Sequence, residues 1–182
     1  MARVSIREAE TRDAPGIARV HVDSWRTTYS GIVPKEFLAG LSYEAFEERW
    51  RGWIGDRSGT HGYFYVAEVP PHGIVGFAAG GRRRGIEYTD YEGELYAIYL
   101  LRGRQRRGAG RSLFDTVVRR LLKAGIGSML VWVLDRNPSR RFYEVLGGEL
   151  LGSRQIEIGG AILEEVAYGW SDLWAQTSEK PE

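Results

Sequence analysis

Apolar and polar positions change period several times along the chain, and each change marks an element. Val4-Ser5-Ile6 alternates as a short strand does before charged residues take over. Ile17, Val20, Ser24, Trp25 and Thr28 then fall at three- and four-residue steps, which predicts a helix running to about Tyr29, with Thr11 or Asp13 as its cap and Pro15 in its first turn. Gly31 and Pro34 end it. Tyr43 to Ile54 repeats the helical period, with Phe46, Trp50 and Trp53 on one aromatic face, and Gly55 to Gly62 is a loop. Strand-like runs return at Tyr63 to Val69 and Ile74 to Ala79, and Pro70-Pro71-His72-Gly73 between them marks an antiparallel hairpin.

Tyr91 to Leu101 is a further strand, and it runs into a turn rich in Gly and Arg from which a helix must start. Leu113, Phe114, Val117, Val118, Leu121 and Leu122 make the apolar stripe of that helix; Arg119, Arg120 and Lys123 face away, and Gly125 closes its end. Met129 to Leu134 is nearly all apolar, as a strand buried on both faces requires. Asn137-Pro138 opens another short helix that ends at Gly147-Gly148, and Leu150 to Ile158 with Ile162 to Tyr168 form a last hairpin over Gly159-Gly160. The order is strand, two helices, three-stranded meander, helix, strand, helix, hairpin. It predicts an α/β chain with one mixed, mostly antiparallel sheet and helices on both faces. Residues 1–176 read as one domain, and Thr177 to Glu182 as a polar tail.

Composition removes several function classes. The chain has 25 Lys and Arg against 24 Asp and Glu, a balance that gives no reason to expect nucleic acid as a partner. Positive charge is local instead: Arg82 to Arg84 form one cluster, and Arg102, Arg104, Arg106, Arg107 and Arg111 another. No cysteine is present, which excludes disulfides, thiolate metal sites and an acyl-cysteine route. His21, His61 and His72 are scattered without ligand spacing, so no metal is expected. The N-terminus has no apolar signal core, and the longest apolar run is too short to span a bilayer, which predicts a soluble, cytoplasmic protein with no membrane partner.

The most informative segment is Gln105-Arg106-Arg107-Gly108-Ala109-Gly110, lying between a strand and an amphipathic helix. Glycines there let several backbone N–H groups converge, and the helix dipole makes the spot favourable for a phosphate. A Walker A loop starting at Gly103 would need Lys at Ala109 and Ser or Thr at Gly110; a dinucleotide fingerprint starting at Gly108 would need a small residue at Leu113. Neither fits.

The segment resembles the Gln/Arg-x-x-Gly-x-Gly/Ala motif of the Gcn5-related N-acetyltransferases. Glu94 to Leu100 resembles the strand before that motif, and Asn137-Pro138-Ser139-Arg140-Arg141-Phe142-Tyr143-Glu144-Val145-Leu146-Gly147-Gly148 resembles the later Asn-x-x-Ala-x-x-Phe-Tyr-Glu-x-x-Gly segment. The resemblance implies acetyl-coenzyme A as cosubstrate, lying where the fourth and fifth strands splay apart. It implies that backbone groups of Ile98, Tyr99 and Leu100 pair with the pantetheine arm, that Gln105, Arg106, Arg107, Gly108, Ala109, Gly110 and Arg111 hold the pyrophosphate, and that Asn137 bonds the arm from the other side. Gly103 and Arg104 depart from the commoner acidic and aromatic residues, and Arg106 from a frequent Gly.

Acyl transfer to an amine needs a neutral nucleophile, stabilisation of a carbonyl oxyanion and a proton for the leaving thiolate. Glu94, eleven residues before Gln105, matches the offset of the base in the histone acetyltransferase branch of the family, with Asp90 and Glu92 as alternates. Tyr143 is the candidate general acid, since a phenol donates without prior ionisation. A backbone N–H near Ile98 or Tyr99 is expected to face the oxyanion. With no covalent nucleophile, direct attack in a ternary complex is implied. His21 to Pro34 resembles the first-helix region of a bacterial branch of mostly unassigned substrate, and the family topology sets Trp25 and Tyr29 over the acceptor site. A small-molecule amine, a protein N-terminus or lysine, and an acyl-coenzyme A sensor without turnover remain the three readings. Exposed hairpin edges suit pairing into a homodimer.

Overall fold

In the computed structural model, which describes residues 4–56 and 58–177, four strands form an antiparallel succession: β1 (Ser5–Glu8), β2 (Tyr63–Val69), β3 (Gly73–Arg82) and β4 (Gly93–Leu100). Next comes β5 (Met129–Leu134), parallel to β4, and then the hairpin of β6 (Glu149–Ile158) and β7 (Ala161–Trp170), giving the order β1-β2-β3-β4-β5-β7-β6. Gly159 and Gly160 turn that hairpin with φ of 59° and 81°, the left-handed pair that a two-residue hairpin turn requires. Residues 178–182 of the expected tail lie outside the described residues.

Helices α1 (Ala14–Thr28), α2 (Lys35–Ala39) and α3 (Tyr43–Gly55) follow β1; α4 (Ala109–Lys123) and α5 (Arg140–Val145) flank β5. The five-residue α2 was not expected, and α5 begins three residues after Asn137 because the Asn137 Oδ1 first accepts the Ser139 N–H at 2.8 Å. Strand alternation divides the core between two faces. Ala67, Ala78 and Leu95 pack with α4, whereas Val66, Phe77 and Ala79 pack with α1 and Trp50 of α3.

One irregularity resets that alternation. Ala79 faces Ala97 but Gly80 faces Leu95, so Tyr96 is the extra residue of a β-bulge. Leu95 therefore packs on the α4 side while Ala97 and Tyr99 pack on the α1 side, although all three would share a face in a regular strand. The parallel pairing of β4 with β5 is also brief: only Gly93 with Met129 and Glu94 with Leu130 are in register. Beyond them β5 stays paired with β7 up to Leu134 and Glu165, so the two strands part and the β5-facing edge of β4 has no ladder partner. The expected splay between the fourth and fifth strands is there.

Two titratable groups at the start of this fold, Asp13 and His21, set its acid limit. Of the two candidate caps of α1, Thr11 and Asp13, it is Asp13 that holds the N-cap position, but its side chain does not cap the helix. Its carboxylate instead accepts the Glu10 N–H at 2.8 Å and both Arg7 guanidinium nitrogens, at 2.6 and 2.8 Å, which hold it below the usual carboxylate range. His21 is pushed down to about 3, first by burial and then by the Arg49 charge, and its Nδ1 accepts the Trp50 indole N–H at 3.2 Å. Between the ordinary histidine value near 6.5 and about 3, the unfolded chain binds a proton that the folded one does not, so stability is present above that range and falls as pH drops through it. Asp13 adds its loss only below the ordinary carboxylate value near 4. His21→Asn, which keeps an acceptor at the Nδ1 position, should remove most of the decline of stability between pH 6.5 and 4, about 1 kcal/mol per pH unit, in urea titrations.

Candidate active site

Where β4 and β5 separate, a cleft of about 540 Å³ opens between α1, α4 and α5. One end is the turn after β4. Arg102–Arg104 form a single 3-10 turn, and the Gln105 Nε2 donates back to the Leu100 carbonyl at 3.1 Å, tying the turn to the strand's end. Arg106 takes a φ of 61°, the left-handed conformation for which Gly is the usual residue. Gly108 follows with φ 83° and precedes α4 without a side-chain cap, so the first N–H groups of the helix point outward. Gln105, Arg106, Gly108, Gly110 and Arg111 line the cleft; Arg107 is exposed outside its wall, and Ala109 is buried beneath it. Arg111 also pairs with Asp115 one turn on, at 3.4 Å. Arg141 of α5 joins the wall and was missed; its place in the Asn137–Gly148 segment was the available signal.

Along the cleft, Ile98, Tyr99 and Leu100 form the β4 wall, with their backbone edge free toward β5. Asn137 stands opposite, buried, with its Nδ2 donating to the Tyr29 hydroxyl at 3.2 Å. Its amide thus joins the β5–α5 loop to the end of α1 and keeps one Nδ2 hydrogen for another partner. Tyr29 lines the cleft, whereas Trp25 stands behind it: the indole packs edge-on to Tyr29 at 4.9 Å and donates to the Tyr99 hydroxyl at 3.1 Å. Trp132 of β5 also lines the cleft, and its apolar run carried no signal of this.

Tyr143 of α5 closes the wall. Its ring lies 5.4 Å from Phe142 and 6.0 Å from Tyr168, stacked on the latter. Among the described residues its hydroxyl has no hydrogen-bond partner, and burial, with the nearby Tyr29, pushes its ionisation well above the ordinary phenol range. The hydroxyl therefore stays protonated through the neutral range.

Glu94 sits at the closed end of the gap, on the last β4–β5 pair, and outside the cleft wall. It is buried, and both carboxylate oxygens are engaged by one residue: the Arg84 N–H donates to Oε2 at 2.9 Å and its guanidinium to Oε1 at 3.0 Å. The same guanidinium lies 3.7 Å over the Tyr96 ring, which does line the cleft. Glu92 is committed elsewhere, accepting the Gly127 N–H at 3.1 Å, and Asp90 is exposed in the loop before β4.

A family model, FR47-like protein, matches residues 79–156, which hold the bulged strand, the turn, α4 and α5. The N-acetyltransferase YuaI of Bacillus subtilis (strain 168) is 46% identical over 172 residues, covering 94% of this chain and 95% of its own. The chain belongs to the Gcn5-related N-acetyltransferase superfamily. Solved structures of other acetyltransferases share the fold at lower identity. PaiA of Thermoplasma acidophilum, in complex with coenzyme A, superposes with a TM-score of 0.68 at 19% identity, covering 90% of this chain and 98% of its own. YncA of Salmonella typhimurium, with acetyl-CoA, gives 0.70 at 18%, covering 93% and 94%. Kinship with YuaI makes this acetyltransferase an enzyme of group transfer to nitrogen.

Proposed function

We propose that this enzyme transfers an acetyl group from acetyl-coenzyme A to the primary amine of a small molecule, by direct attack within a ternary complex. The observation that carries the reading is the cleft itself: it runs from the uncapped N-terminus of a 15-residue helix, past an unpaired strand edge, to a buried phenol with a free hydroxyl. These features fit the coenzyme in turn. The turn N–H groups with Arg106, Arg111 and Arg141 suit phosphates, Gly110 leaves the space where an added Cβ would meet Leu100 and Phe142 at 3.3 and 3.4 Å, and the backbone of Ile98 to Leu100 has the hydrogen-bonding edge an amide-bearing arm requires. When bound, acetyl-coenzyme A supplies the activated carbonyl and a thiolate leaving group.

The protein's own groups then move two protons. Glu94, held in place by Arg84, takes the amine proton through a water, because the carboxylate lies behind the cleft wall. Tyr143 gives its proton to the departing sulfur. Tyr29, braced by Trp25 and Asn137, faces the acceptor. No carboxylate lines the cleft among the described residues, while aromatic rings do, which favours a small amine over a lysine-rich segment. Thiol release from acetyl-coenzyme A over a panel of primary amines tests the reading: release must depend on the amine, and release that ignores every amine would leave a coenzyme sensor.

Glu94→Gln should slow turnover most on the acidic side of the pH profile. There the neutral amine falls tenfold per pH unit, and only amine already deprotonated by solvent reacts. A deficit of about a hundredfold at pH 6.5 that narrows toward pH 9 is expected in initial rates; a constant ratio would make Glu94 a structural partner of Arg84.

A further inference from the structure

Ser24 holds a core position on α1. It continues the stripe of Ala14, Ile17 and Ala18 that packs on the sheet, and it is only 2% exposed. Among the described residues its Oγ is the one side-chain oxygen or nitrogen that is itself closed off from solvent and without a hydrogen-bond partner. Thr27, three residues on, takes the usual resort of a helical hydroxyl and folds back on the carbonyls of Asp23 and Ser24, at 2.9 and 3.2 Å. Ser24 does not. The polar groups of the same region bond to others: the Tyr99 hydroxyl accepts from Trp25, the Tyr29 hydroxyl from Asn137, and the His21 Nδ1 from Trp50.

A buried hydroxyl without a partner destabilises a fold, so its presence at an apolar stripe position calls for a partner met later. The residue belongs to the cleft wall, on the α1 side of the β4 residues Ala97 and Tyr99, and deeper than Thr28 one turn on, which is only half-buried. A coenzyme arm anchored at Gln105–Arg111 and laid along the free edge of β4 would carry its far tip toward this part of the cleft. We infer that Ser24 is an acyl-binding residue, its hydroxyl turning about the Cα–Cβ bond to donate to the carbonyl oxygen of the acetyl group. The inference rests on the acetyl-coenzyme A reading above, and it adds a side-chain donor to the backbone N–H expected at the same oxygen.

The test compares wild type, Ser24→Ala and the near-isosteric Ser24→Cys by calorimetric titration with coenzyme A and with acetyl-coenzyme A, and by thermal melting without ligand. Affinity for acetyl-coenzyme A should fall roughly five- to tenfold in both variants, while affinity for coenzyme A, which lacks the carbonyl, stays within about twofold. The melting temperature of free Ser24→Ala should hold or rise by about 2–4 °C, because an unpartnered hydroxyl has been removed from the core. A falling melting temperature in both variants, with the two ligands weakened equally, would mark Ser24 as structural and overturn the inference. Unchanged acetyl-coenzyme A affinity would overturn it too. A wild type that binds neither coenzyme refutes the proposed function itself, and does so before any variant is made.

Discussion

Tyr143→Phe should transfer acetyl about a hundredfold more slowly than wild type near neutral pH, with coenzyme affinity and melting temperature almost unchanged. The substitution removes one oxygen that has no protein partner among the described residues, and keeps the ring that stacks on Tyr168 and meets Phe142 edge-on. The backbone is untouched, including the Tyr143 carbonyl that accepts the Gly148 N–H at 3.0 Å and so closes α5. What is lost is the proton for the leaving thiolate. A thiol near its ordinary pKa of 8.5 departs tolerably as the anion, so the deficit should narrow as pH rises toward that value. The wild-type rate should show no alkaline loss from Tyr143 itself, because burial and Tyr29 hold its ionisation above the ordinary phenol value near 10. Stopped-flow thiol detection from pH 6 to 9 checks both limbs, and equal rates at every pH would return Tyr143 to the core as a plain aromatic.

Much of this site was legible because its signals are local. The stripe from Leu113 to Leu122 and the Gly-flanked turn before it lie within one stretch of about twenty residues, so strand, turn and helix could be read without knowing any partner. The same holds for the hairpin at Gly159-Gly160, whose turn chemistry is its own signature. What escaped depends on contacts far along the chain. The bulge at Tyr96 exists only relative to Ala79 and Gly80 of β3, and it decides which of Leu95, Ala97 and Tyr99 faces α1. Arg84 reads as one of three consecutive arginines, and nothing in that run says that it alone clasps Glu94 through both its backbone and its guanidinium. Asn137 suggested a ligand contact; its bond to Tyr29, 108 residues away, belongs to the packing of α1 against the β5–α5 loop. The helix α2 is too short for any period to declare itself.

Gly108→Val and Gly110→Val should each lower coenzyme affinity by at least a hundredfold, for two different reasons. At Gly108 an added Cβ meets nothing within 4 Å, so the protein offers no steric objection. The obstacle is the backbone: a φ of 83° lies in the left-handed region, which a β-branched residue avoids at a cost of about 1–3 kcal/mol. Val there pulls the turn toward negative φ and swings the N–H groups that open α4 away from their common focus, and a phosphate site made of converging donors fails once the convergence is lost. At Gly110 the backbone is ordinary helix, and the obstacle is space: the new Cβ would stand 3.3 Å from the Leu100 Cδ1 and 3.4 Å from the Phe142 ring, with two methyl groups still to place. They can go only into the cleft or against those side chains, which belong to the wall of the same cleft. The two variants should therefore separate on repair. Leu100→Ala, which vacates the nearer contact, should restore part of the affinity lost by Gly110→Val and none of that lost by Gly108→Val. Calorimetric titration with coenzyme A, on variants whose circular dichroism matches wild type, reads both effects, and normal binding by either valine variant would move the phosphate site away from this turn.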